Sequence, residues 1–202
     1  VSVVGVLGEG GLVAFEGVVL VTIGVIAAGR GTPIMFGRSG SPAQLIAFPH
    51  TVHAGVAAVV DADGDPDLVV GAGAGGAVAY FENQNGTLRR AVAGPVLEYD
   101  VTTLLPEPDG RSLLAGVANY EAPSPTAAVE VPTAVSIRLG PGGPGMGVPA
   151  LSSDGSSTGA LASADVDGDG DLDVFVGGRV YAGAYPLPPT SRLFRRQQDG
   201  SL

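Results

Sequence analysis

Two stretches of this chain repeat one another, and that repeat limits the possible folds more than any other feature. Setting DVDGDGDLDVFVGG (Asp165 to Gly178) against VVDADGDPDLVVGAG (Val59 to Gly73) on the apolar triplet before the glycine aligns four aspartates. Asp167 falls on Asp61, Asp169 on Asp63, Asp171 on Asp65 and Asp173 on Asp67, while Gly170 meets Gly64 and Gly177 meets Gly71. A second block follows each loop, AYFENQNGTL (Ala79 to Leu88) and RLFRRQQDGSL (Arg192 to Leu202). Both carry an aromatic, a polar run and an Asn-Gly or Asp-Gly hairpin signal. Each unit therefore reads as loop, buried strand, connection, strand, tight turn, strand.

Gly71 and Gly177 are 106 residues apart, too far for one small unit. Between them SLLAG (Ser112 to Gly116) has the shape of DVFVG, with Asp109-Gly110 ahead of it and Val135 to Leu139 as a later strand. Taking Gly116 as the equivalent glycine divides the interval into 45 and 61. The middle unit is then a degenerate repeat whose loop has lost its acids. Three such units, all strand and turn, predict a radial array of four-stranded sheets. The punctuation agrees: Gly 33 and Pro 16 among 202 residues argue against a helical bundle. A hydrophobic content of 45% supplies a core and argues against disorder. With no cysteine, neither a disulfide scaffold nor a zinc-thiolate site is possible.

The formal charge is −10, but it is concentrated. Nine aspartates lie in two short stretches, Asp61 to Asp67 and Asp165 to Asp173; outside them 11 acids face 10 bases, all of them arginine. A near-neutral body with two carboxylate loops repels phosphate backbones, so no nucleic-acid role is expected. Residues 1–28 are rich in Val, Gly and Ala, yet Glu9 and Glu16 interrupt them and the longest uncharged piece is only Gly17 to Gly29. That is too short for a membrane span and wrongly flanked for an export signal, so core strands are expected there. Val1 at the start and Asp199-Gly200-Ser201-Leu202 directly after a turn signal read as the ends of a fragment.

Five aspartates alternating over nine residues repel one another unless a cation joins them. Asp165, Asp167 and Asp169 stand at positions 1, 3 and 5 of the loop, the Asp171 carbonyl is available at position 7, and Asp173 closes it at position 9. Gly170 at position 6 permits the sharp turn. Hard oxygen donors in that number suit Ca²⁺ better than Mg²⁺, which demands a strict octahedron. The loop is no EF-hand, because position 12 is Val176 and the flanks read as strand. The first loop should bind more weakly. Its position 1 is Val59, it carries Pro66, and only Asp61, Asp63, Asp67 and the Asp65 carbonyl remain. The middle loop, Asp109-Gly110-Arg111, should be metal-free.

The pattern DxDGDGDLDxxxG, followed by an aromatic strand and a DG turn, resembles the FG-GAP or VCBS repeat of integrin α subunits and secreted bacterial proteins. The last unit, with GGRVYAGAYPLPPTSRLFRRQQDG, is similar to the terminal blades of ASPIC/UnbV-type VCBS-repeat proteins. The resemblance covers 155–202 and 51–90, is faint over 100–140, and does not reach 1–45. It implies an all-β fold, a fragment of an integrin-α-type β-propeller with about three to four four-stranded blades. It also implies structural Ca²⁺ at the rim, carried over onto Asp165, Asp167, Asp169, Asp171 and Asp173. Units are expected at 51–95, 96–145 and 146–202, with 1–50 a blade or part of one. The expected role is that of a calcium-binding repeat domain with a structural or binding (adhesion or scaffold) function, not enzymic, in a secreted or cell-surface protein with a protein or carbohydrate ligand. The alternative is a propeller segment of a polysaccharide lyase or glycoside hydrolase.

Other signals are weaker. Gly71-Ala-Gly73-Ala-Gly75-Gly76 imitates a dinucleotide fingerprint, but Tyr80-Phe81 and an Asn-Gly turn follow where a helix is needed. His50 and His53 have no evident third ligand and read as a loop before an Ala54 to Val60 strand. Ser39 and Ser41 sit in a Gly-rich loop without lysine. Asn85-Gly86-Thr87 is a formal glycosylation sequon that a hairpin turn explains fully. Tyr181, Tyr185 and the prolines of Pro186 to Pro189 read as an exposed insertion.

Overall fold

The computed structural model describes residues 12–15, 22–23, 33–38, 44–47, 52–58 and 67–202. Apolar runs cut by turn residues become strands. They are β1 (Leu12–Phe15), β2 (Thr22–Ile23), β3 (Pro33–Arg38), β4 (Gln44–Ala47), β5 (Val52–Ala58), β6 (Asp67–Ala72), β7 (Ala77–Gln84) and β8 (Thr87–Val96). Then follow β9 (Val101–Pro106), β10 (Ser112–Val117), a short helix α1 (Pro125–Glu130), β11 (Ala134–Arg138), β12 (Gly147–Leu151), β13 (Ser156–Ala164), β14 (Asp173–Tyr181) and β15 (Arg192–Phe194). The architecture is all-β, and apart from one parallel pair, β1 with β3, the ladders are antiparallel.

Strands β5 to β8 form one sheet, with β2 added beside β5; β9 to β12 form the second; β13 to β15 form the third. A further sheet pairs β1, β3 and β4. Within β5–β8, β9–β12 and β13–β15 neighbouring strands follow chain order, as hairpin connections require. The Asn85-Gly86 turn between β7 and β8 has φ of 53° and 87°, the left-handed pair that matches the twist of a two-residue hairpin. After the glycine-rich stretch the chain continues as β7, so the dinucleotide-binding imitation ends in a strand. His53 lies within β5, and His50, Ser39 and Ser41 fall outside the described residues.

Alternation explains why the middle strands carry apolar residues on both faces. Leu104, Leu113, Ala115, Val117 and Ile137 face Val69, Val78 and Tyr80 of the first sheet. Their neighbours Leu105, Leu114, Ala134 and Leu151 face Leu161, Val174 and Val176 of the third. A sheet covered on both sides buries both parities of its strands. Each fully buried Leu or Ile stabilises by about 1.5–3 kcal/mol. The first strands also adjoin in series, β9 lying against both β5 and β13.

The repeat glycines make that approach possible. A Cβ on Gly71 would lie 2.5 Å from Val101 Cγ1, and one on Gly116 would lie 2.7 Å from Thr158 Cγ2. Val101 and Thr158 occupy the same register, opposite the fifth residues after Ser112 and Asp173. The middle sheet extends to Leu151, beyond residue 145 where the sequence puts the boundary, because β12 pairs with β11. Its GVPAL sequence exposes Val148, Pro149 and Ala150, so it carries no burial signal of its own.

Candidate metal centre

The third sheet positions the loop. Strand β14 begins at Asp173, and its next residue, Val174, pairs with Phe194. Asp173 is buried, 1% exposed, and its carboxylate accepts the Arg196 N–H at 2.9 Å and the Val166 N–H at 3.2 Å. It is thus tied both to the next strand and to the start of the loop it closes.

Above it the chain doubles back through Gly170, whose φ of 95° only glycine adopts readily. Asp165 accepts the Gly168 N–H at 2.7 Å and the Gly170 N–H at 3.1 Å, and Asp169 accepts the Asp171 N–H at 2.9 Å. These bonds wrap the loop so that one carboxylate oxygen from each of Asp165, Asp167 and Asp169 lies within 4.8 Å of the others. All three residues are exposed. Clustered hard oxygens at an open loop mouth suit a divalent cation. Asp171 and Asp173 are not in the carboxylate cluster; Asp173 lies buried beneath it.

The first loop is described only at its end, since Asp61, Asp63 and Asp65 lie outside the described residues, as do Val59 and Pro66. Asp67 opens β6 as Asp173 opens β14. It is fully buried and accepts the Asn83 N–H at 2.8 Å and the Tyr80 hydroxyl at 3.1 Å. Leu68 pairs with Phe81 as Val174 pairs with Phe194, so Asn83 and Arg196 are equivalent, each two residues past the aromatic. Expected alignment and observed register coincide at this position.

Three residues escaped the sequence reading. Arg195 places Nη1 2.7 Å from Asp167 Oδ2. Arg196 sends Nε to the Leu172 carbonyl at 2.9 Å, Nη1 to the Gly200 carbonyl at 3.0 Å and Nη2 to Glu107 Oε2 at 2.7 Å. Glu107 belongs to the middle sheet's turn, so this ion pair bolts the loop to its neighbour. Burial pushes the Glu107 carboxyl above its ordinary range; Arg196 opposes that without cancelling it, and Glu107 Oε1 has no hydrogen-bond partner. The available signal was positional: both arginines follow the aromatic that pairs beside the loop's last aspartate.

In the middle turn Asp109 accepts the N–H groups of Arg111 and Ser112 at 2.8 and 3.0 Å and the Ser112 hydroxyl at 2.7 Å. Partial burial works to raise its pKa, but these bonds and the Arg138 charge hold the carboxyl below its ordinary range. At the opposite end of β9 a hollow of about 280 Å³ is lined by residues including Tyr99, Asp100 and Tyr120. The Tyr120 hydroxyl donates to Asp100, which pushes the phenol up to about 12, with burial adding to the effect. Of the Tyr181–Pro189 segment, Tyr185 to Pro188 are exposed, Tyr185 standing 87% in solvent, whereas Tyr181 ends β14 and is half-buried. Among the described residues no helix is long and apolar enough to cross a membrane. No protein-family model, curated protein or solved structure matches the chain.

Proposed function

We propose that this chain is a calcium-binding repeat domain of the FG-GAP/VCBS kind, part of a β-propeller ring in a secreted or cell-surface protein. Its role is adhesion or scaffolding for a protein or carbohydrate ligand, not catalysis. One observation carries the reading: the Asp165, Asp167 and Asp169 carboxylates converge within 4.8 Å at the mouth of a glycine-turned loop. Those three residues, with the Asp171 carbonyl, would hold the ion, and Asp173 would hold the loop to the sheet. A bound Ca²⁺ would neutralise the loop and fix its shape at the junction with the middle sheet.

Calorimetric titration at neutral pH tests this. Ca²⁺ should bind with Kd of about 10⁻⁴–10⁻³ M, the range of extracellular modules, and Asp167→Ala should abolish the heat. Mg²⁺ should bind far less well. A flat Ca²⁺ titration of folded protein at millimolar concentration would refute the reading.

A further inference from the structure

We infer that Arg195 is the built-in counter-cation of the 165–171 loop, a guanidinium that neutralises Asp167 until a divalent ion displaces it. The inference rests on the cation reading above and adds what sets the affinity of that site. Asp165 and Asp169 are both compensated by backbone N–H groups of the loop itself. Asp167 is compensated by a full positive charge from outside the loop, 2.7 Å away.

The arginine is delivered by a fixed backbone. Its neighbour Arg196 spends its N–H on Asp173 and its guanidinium on Leu172, Gly200 and Glu107, and its side chain is only 12% exposed. Arg195, by contrast, is 60% exposed, so it can swing into water without disturbing the core. An ion that draws on all three carboxylates must share Asp167 with this guanidinium or expel it, and like charges at that distance repel. In the register of the first sheet, the residue that follows the paired aromatic is Glu82. The two units therefore carry opposite charges at this position.

The experiment compares Ca²⁺ titrations of the unaltered chain, Arg195→Gln and Arg195→Glu. Arg195→Gln should bind about two- to fivefold more tightly, the worth of one exposed ion pair. Arg195→Glu should bind more tightly still, and the differences should shrink as ionic strength rises. A parallel series of melting scans in EDTA reads the pair with no ion present: Arg195→Gln should lower the melting point, but not in an Asp167→Asn background. Equal or weaker Ca²⁺ binding by Arg195→Gln overturns the inference and leaves the cation reading standing. Absence of coupling in EDTA overturns it whatever the titrations give. Coupling in EDTA with no Ca²⁺ binding by any of the three proteins overturns the cation reading, and the displacement step with it.

Discussion

In the third sheet the N–H two residues past the paired aromatic bonds to a buried carboxylate, Asp173. In the middle sheet the corresponding N–H, that of Leu139, bonds instead to the Arg111 carbonyl at 2.6 Å. Leu113 pairs with Ile137 as Val174 pairs with Phe194, so Ser112 stands where Asp173 stands. The middle turn has closed on itself through Asp109 and kept the strand pairing with no aspartate at that position. The comparison separates two jobs. The last aspartate of the loop is architectural, and a backbone carbonyl can replace it. The three exposed aspartates are unnecessary for the sheet, since the middle unit folds without them, and the proposed cation would give them a role.

The largest effect should fall on the architectural aspartates. Asp173→Ala or Asp67→Ala removes a buried carboxylate from part-buried N–H groups and should cost about 1–3 kcal/mol. Ser112→Ala should cost less than about 1 kcal/mol, because the Arg111 carbonyl still holds Leu139. Urea unfolding of the three variants decides this, and equal losses would break the comparison. Next comes the glycine register. Gly71→Val and Gly116→Val should each lose about 1–3 kcal/mol by overpacking against the following sheet. At Gly177 a Cβ meets nothing closer than 3.4 Å, so Gly177→Ala should cost less than about 1 kcal/mol by the same measurement.

Smaller again is the cation itself. At tenfold excess over Kd, Ca²⁺ should add about 1.4 kcal/mol, roughly 2–6 °C in melting temperature for a domain of this size. Scans in EDTA, Ca²⁺ and Mg²⁺ should show the gain with Ca²⁺ alone, and Asp165→Asn/Asp167→Asn should erase it, lowering the EDTA curve by no more than the loss of the exposed Arg195 pair.

The smallest effect is the pH dependence of the middle turn, where Glu107 and Asp109 pull in opposite directions. Asp109 sits below its ordinary pKa of 3.8 when folded, so its contribution is present above that value and lost as pH falls through the folded pKa. Glu107 sits above its ordinary 4.5, so its contribution is present below that value and lost as pH rises through the folded pKa. Stability profiles from pH 3 to 7 should therefore lose part of their acid limb in Asp109→Asn. In Glu107→Gln they should lose a decline that lies above about pH 4.5.

Much of this was legible in the chain. The alternating aspartates marked the loop, Asn85-Gly86 marked the β7–β8 hairpin, and the glycines at 71, 116 and 177 marked one register through all three units; Asp199-Gly200 forms a turn with no strand after it. Helix α1 was not legible, since Ser124 caps it with a single bond to Ala127 and only Ala128 is buried. Nor was β12, which exposes most of its residues.

The sequence by itself determined the all-β strand-and-turn pattern, the spacing of the equivalent glycines and the concentration of carboxylates, because these depend on local turn chemistry and on alternation along one strand. Only the tertiary structure decided how those carboxylates are divided. Asp173 is buried where β14 begins, and the chain leaving β15 presents the Arg196 N–H to it and Arg195 to Asp167. Glu107, 89 residues away, meets Arg196 because the middle turn packs against the third loop. Those partners lie far apart in the chain, and no spacing rule connects them until the sheets stack.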